Sequence, residues 1–199
     1  MYSETYRQAK DEFAASSPER MAMLSGAEYD PVKKEIKVVY LNRIYSFSHQ
    51  DGRITCPHDP VDMPLEEQSL ILQYLVQATG VPLSKRWISY AELPNGMLHD
   101  RPFRVEAFEP LARAFGGQMG SLLRVARELG GQEIGMGDIG VVIPVLPRIP
   151  VAVIFWVADE EFPARANMIF DASASHYLST AALYVLGSVV ARRLLKTAR

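Results

Sequence analysis

The chain has a single cysteine, Cys56, in 199 residues. One thiol excludes an internal disulfide, and by itself it cannot hold an iron–sulfur cluster or a structural zinc. Long apolar runs are also missing. The longest, Ile149 to Ala158, is about half of what a membrane span needs. Neither sign of charge dominates: 21 Lys and Arg stand against 23 Asp and Glu, a formal charge of −2. That balance lacks the basic field of a nucleic-acid surface. The opening MYSETYRQAKDEF carries charges where a signal peptide needs an apolar core. A soluble cytoplasmic protein, with neither nucleic acid nor membrane as partner, is the expectation.

Familiar catalytic signatures are missing too. No Gly-x-Ser-x-Gly elbow occurs. Gly135-Met136-Gly137-Asp138-Ile139-Gly140 has the glycine spacing of a phosphate loop, but it precedes a strand instead of following one.

What is present is globular patterning, with 48 % apolar residues. Tyr2, Tyr6, Ala9 and Phe13 fall at helical spacing. Ser17-Pro18-Glu19 reads as a cap and first turn of a second, short helix that stops near Gly26. Glu35 to Tyr40 and Arg43 to Phe47 read as a hairpin, with a short strand near Arg53 to Thr55. Cys56 to Pro64 holds three prolines and reads as a loop, with Asp62 as the cap of the next helix. Trp87 to Pro94 is aromatic and of open type. Two helical stripes follow, Val105 to Phe115 and Met119 to Leu129, each ended by a double glycine that predicts a left-handed stop. Gly140 to Leu146 and Val151 to Val157 are apolar without alternation, which predicts strands buried on both faces. Ala166 to Phe170 is a third strand. Ser179 or Thr180 caps a final helix through Lys196, apolar nearly all round as far as Val190. Its terminal cations Arg192, Arg193, Lys196 and Arg199 suit the negative end of the helix dipole.

These elements predict an α+β fold. It is a mainly antiparallel sheet with the Gly140–Val157 hairpin near its centre, covered by several helices. Residues 1–199 form one globular domain, with a helical segment, residues 1–26, packed on it.

Phe155-Trp156, Asp159-Glu160-Glu161-Phe162-Pro163 and Phe170-Asp171-Ala172-Ser173-Ala174-Ser175-His176-Tyr177-Leu178 carry a resemblance. Tyr29-Asp30, Ile71 to Leu75, Trp87-Ile88-Ser89-Tyr90 and Glu92-Leu93-Pro94 add to it. Through these residues the chain resembles a prokaryotic family known as domain of unknown function 3786, from about Tyr29 to the last helix. The resemblance implies a role near anaerobic redox or cofactor metabolism, because some members join the domain to a cysteine-rich iron–sulfur segment. This chain has no such segment, so the resemblance implies an iron–sulfur or other redox partner protein.

Two polar clusters are the candidate ligand-binding sites. Asp159, Glu160 and Glu161 follow a central strand, where loops often bind ligands. Adjacent carboxylates can bind a hard cation, yet side chains of neighbouring loop residues diverge, and a solvated acidic turn is the competing reading. Asp171, Ser173, Ser175, His176 and Tyr177 form the second cluster. Asp171 suits an Asx-type turn. His176 suits a general base or a ligand, or a histidine that bonds a backbone carbonyl beside Tyr177. Cys56-Pro57-His58-Asp59 has a thiol two residues from an imidazole, in an exposed loop. Trp87, Tyr90, Phe103, Phe108 and Phe115 either line an apolar pocket or form plain core.

Three functions fit. The first is an accessory module that binds a small molecule or cofactor of unknown identity, with Trp87 and Tyr177 among its contacts. The second is a metal-assisted hydrolase in which Asp159 or Glu160 meets Asp171 and His176 in space. The third is a dimerising interaction module without a ligand. The sequence specifies neither a resident metal nor an oligomeric state.

Overall fold

Apolar residues at helical spacing set the first element. In the computed structural model, which describes residues 2–56, 63–116 and 119–197, helix α1 (Tyr2–Ala15) buries Ala9 and Phe13. Ser17 then caps α2 (Pro18–Ser25). Its side-chain oxygen accepts the Arg20 N–H at 3.2 Å, and Pro18 sits at the first turn, where a missing N–H breaks no helical bond. Gly26 ends α2 at φ +77°, in the left-handed region that side chains disfavour. Ser17→Ala is expected to lower stability by about 1 kcal/mol. A lower urea midpoint at unchanged slope is the readout; an unmoved midpoint would mean that the cap contributes nothing.

The strands form two antiparallel sheets where the sequence predicts one. The first sheet has the order β1 (Glu28–Asp30), β2 (Glu35–Tyr40), β3 (Arg43–Ser48), β4 (Ile54–Thr55). The β2–β3 hairpin turns at Leu41 and Asn42, whose φ values of 48° and 65° match the twist of the flanking strands. Ile36, Val38 and Tyr40 alternate into the core. Helix α3 (Leu65–Gln77) packs on α1 and buries Leu70, Ile71, Leu72, Tyr74 and Leu75. Asp62, expected as its cap, lies outside the described residues.

The second sheet has the order β5-β9-β8-β7-β6. Its strands are β5 (Trp87–Ser89), β6 (Gln132–Ile134), β7 (Ile139–Leu146), β8 (Ile149–Trp156) and β9 (Arg165–Asp171). The expected central hairpin is β7–β8. β8 lies in the middle, with Ile149 and every residue from 151 to 155 buried, as an apolar run without alternation requires. The aromatic segment of open type is the edge strand β5, and β6 is an edge strand with no sequence signal. Interior strands of the two sheets run six to eight residues, and the edge strands β1, β4, β5 and β6 only two or three.

Between β5 and β6 the chain is helical. α4 (Asp100–Phe103) runs through one wide π-type turn, Arg104–Phe108, into α5 (Glu109–Phe115). Pro110 explains the widening. It has no N–H for the Glu106 carbonyl, and its ring would crowd that carbonyl in a regular helix. Gly116 at the end of α5 has φ −59°, so the left-handed stop predicted there is not formed by Gly116. Gly117 lies outside the described residues. After α6 (Met119–Glu128), Gly130 takes the expected left-handed conformation at φ +77°. Helix α7 (Thr180–Thr197) begins where Ser179 Oγ accepts the Ala182 N–H. One hydrophobic cluster runs through both sheets and the helices, and the Leu41 N–H donates to the Val145 carbonyl where the sheets meet. The fold is α+β. No helix among the described residues is long and apolar enough to cross a membrane.

Candidate functional site

Asp171 ends β9 and is 2 % exposed. Burial alone would raise its carboxyl pKa, but the donors around it prevail. Oδ1 accepts the N–H and hydroxyl of both Ser173 and Ser84, and Oδ2 accepts the Lys85 N–H, all at 2.7–2.9 Å. The result is a pKa lowered to about 2. The expected local Asx turn is present, and it also clamps residues 84 and 85 from far along the chain. His176 and Ser175 are exposed, and the His176 N–H donates to the Ser173 carbonyl. Tyr177 is fully buried, packs 5.8 Å from the Tyr74 ring and donates its hydroxyl to the Val81 carbonyl. Trp87 pairs with Asp171 across the β5–β9 ladder. The structure thus gathers Trp87, Asp171, His176 and Tyr177 at one end of the second sheet.

Asp159 and Glu160 lie at the other end. They sit in the loop between β8 and β9, beyond the paired residues Trp156 and Arg165. β9 then travels its seven residues, about 20 Å, before it reaches Asp171. Residues 172–177 do not fold back across the sheet: Ala172 bonds the Arg86 carbonyl, and a short 3-10 turn leads into α7. The composite site of Asp159 or Glu160 with Asp171 and His176 is therefore not formed, and the metal-assisted hydrolase that needs it lacks its geometry. Among the described residues, no three His, Cys, Asp or Glu side chains come together at a metal-holding spacing.

The acidic loop instead walls a cleft of about 700 Å³. The loop is shaped by Asp159, whose Oδ1 accepts the Glu161 and Phe162 N–H groups at 2.9 and 2.7 Å. These bonds hold its carboxyl below the usual range. Asp138 holds the facing side: its N–H donates to the Phe155 carbonyl, and its Oδ2 accepts the Val157 N–H at 2.7 Å. Around these braces Trp156, Val157 and Phe162 are 40, 44 and 51 % exposed. Arg165 lies over the Phe162 ring, 4.8 Å from its centre. Arg104 reaches the cleft from the π-type turn, with Nε held by Asp100 at 2.6 Å. Asn167, on β9, completes the polar wall. Sequence reasoning finds the loop but misses Arg104, Asp138, Arg165 and Asn167. The β8–β9 register brings Arg165 and Asn167 to Trp156, the bonds to Phe155 and Val157 bring Asp138, and the π-type turn brings Arg104.

A second polar cluster is also absent from the sequence reading. Glu67 on α3 is 3 % exposed, and Arg193 Nη2 on α7 donates to both its carboxylate oxygens at 3.0 and 2.8 Å. The Tyr40 hydroxyl on β2 donates to Glu67 Oε2 at 2.9 Å. Burial, then the Glu67 charge, pushes that hydroxyl's pKa well up. Arg192 pairs with Glu66 beside it. Two of the terminal cations thus serve specific partners on α3, beyond any dipole effect. This cluster links β2, α3 and α7.

The remaining candidates are plainly placed. Cys56 is half-buried, while Pro57, His58 and Asp59 lie outside the described residues. Tyr90, Phe103, Phe108 and Phe115 are core. Tyr90 stands 4.6 Å from Phe103, Phe103 stands 5.0 Å from Phe108, and Phe115 packs on Phe155.

A family model described as domain of unknown function (DUF3786) matches residues 17–193. No curated protein and no solved structure matches the chain.

Proposed function

Because the chain belongs to the family of the domain of unknown function DUF3786, which carries no activity with it, we propose a function from the chain's own geometry: an accessory module that binds a small molecule in the cleft beside Trp156. The observation that carries this is the grouping of Trp156, Val157 and Phe162. Three large apolar side chains stand exposed at one place, beside two arginines and an asparagine, in a recess of about 700 Å³. Concave apolar surface with a few convergent polar groups is the usual form of a small-molecule site. Strand-end loops are where such sites are built. Of the sequence candidates, Asp159 belongs to this cleft as the residue that shapes its wall. The link to redox or cofactor metabolism, and to an iron–sulfur partner, rests on the family resemblance alone.

Two tryptophans make the test direct. In Trp87→Phe protein all indole emission comes from Trp156. Purified without oxygen and weighed intact under native conditions, the protein is expected to carry a bound molecule, whose removal shifts Trp156 emission to the red. A bare mass, together with emission unmoved by the low-molecular-weight fraction of a cell extract, would sink the proposal.

A further inference from the structure

We infer that the cleft selects a planar aromatic anion, one bearing a carboxylate or phosphate on a flat ring system; this rests on the ligand-binding reading above. Formal charge does not decide the matter, because the lining holds two arginines, Arg104 and Arg165, and two aspartates, Asp138 and Asp159. What decides it is which groups are already bonded. Each aspartate commits one oxygen to backbone N–H groups of the loop, Asp138 Oδ2 to Val157 and Asp159 Oδ1 to Glu161 and Phe162, which leaves one carboxylate oxygen of each against the several N–H donors of the two arginines. The arginines are bonded far less. Arg104 uses Nε on Asp100, and its two terminal nitrogens have no other protein hydrogen bond among the described residues. The Arg165 guanidinium makes no side-chain hydrogen bond or ion pair among the described residues; it lies over the Phe162 ring, and its charge helps to hold the Asp159 carboxyl low.

A guanidinium carries five N–H donors in one plane. With its central carbon 4.8 Å from the Phe162 ring centre, Arg165 spends none of those donors on a side-chain hydrogen bond. That arrangement fits two oxygens of a carboxylate or phosphate approached in the plane, and a compact lysine ammonium would not reproduce it. The unspent polarity of the cleft is thus mostly of the donor kind, and it asks for an acceptor-rich ligand. The apolar walls set the other half of the specificity. Trp156 offers a broad ring, and a flat aromatic ligand covers it with little loss of internal freedom. An aliphatic acid would meet the arginines but leave the indole wet, and a neutral arene would do the reverse.

The test uses three probes of one shape: 2-naphthoate, 2-naphthamide and 2-naphthyl phosphate. Protein labelled with 5-fluorotryptophan gives separate fluorine signals for Trp87 and Trp156, so binding at the cleft is read at Trp156 itself. The anions are expected to move the Trp156 signal and to bind about tenfold more tightly than the amide, the scale of a charge-assisted hydrogen bond. The better of the two anions identifies the acidic group. Arg165→Met is expected to abolish the preference while 2-naphthamide binding stays put. Equal binding of 2-naphthoate and 2-naphthamide overturns the anion selection and leaves the ligand-binding reading standing. Equal loss of all three probes in Arg165→Met shows a collapsed cleft wall and overturns it as well. Silence at Trp156 from every probe, up to the solubility of each, overturns the inferred ligand class, while the native mass above decides separately whether the cleft binds anything.

Discussion

Glu67→Ala is expected to destabilise the protein by about 3 kcal/mol, from the stranded Tyr40 hydroxyl and the weakened Arg193 pairing. The carboxylate is 3 % exposed and neutralises Arg193, while it also accepts the Tyr40 hydroxyl. Removing it takes this carboxylate from a guanidinium that is about a third exposed and leaves a buried hydroxyl without its acceptor. Such a loss is a large part of the total stability of a domain, commonly about 5–15 kcal/mol. Urea unfolding of the variant is the measurement. The double variant Glu67→Met with Arg193→Met separates the charge from the packing. It is expected to recover most of the loss, because replacing both members of a partly buried pair is far milder than removing its buried carboxylate alone. A single variant that unfolds at the wild-type midpoint would show that water reaches Arg193 freely.

Asp171→Asn is expected to be the second most damaging change, at roughly 2–3 kcal/mol at neutral pH. The carboxylate collects three backbone N–H groups and two hydroxyls, and an amide replaces one accepting oxygen with a donor. The same residue makes stability pH-dependent with a definite sign. Its folded pKa, about 2, lies below the ordinary 3.8. The stabilisation is therefore fully present above about pH 4 and is lost as the pH falls towards 2. Wild-type and Asp171→Asn curves should converge across that window. A constant gap between them from neutral pH down to pH 2 would refute the assignment of the low pKa to Asp171.

The fold class was legible because its signals are local. Ser17 and Pro18 start a helix by their own chemistry, and Val151 to Phe155 declare a central strand by an apolar run that no one-faced element could bury. What could not be read depends on distant partners. Three residues, Gln132 to Ile134, become a strand only because β7 pairs with them. Trp87 to Ser89 become one only through β9, whose paired residues lie 80 to 84 positions later. Glu67 looks like an ordinary first-turn acid and Arg193 like an ordinary last-turn cation, and nothing near either names the other. The candidate site was half legible for the same reason. The acidic loop announces itself, but the direction of β9 carries Asp171 and His176 away from it, and the arginines that border the cleft come from two elements.

The shortness of the outer strands bears on how copies of this chain meet. A sheet grows between molecules when a strand at its border offers a long row of unpaired N–H and C=O groups to a neighbour. Here each described border strand has only two or three residues, while the strands that could template a long ladder are enclosed. A neighbouring molecule finds no rail on which to register, so these sheets resist the edge-to-edge joining that seeds fibres.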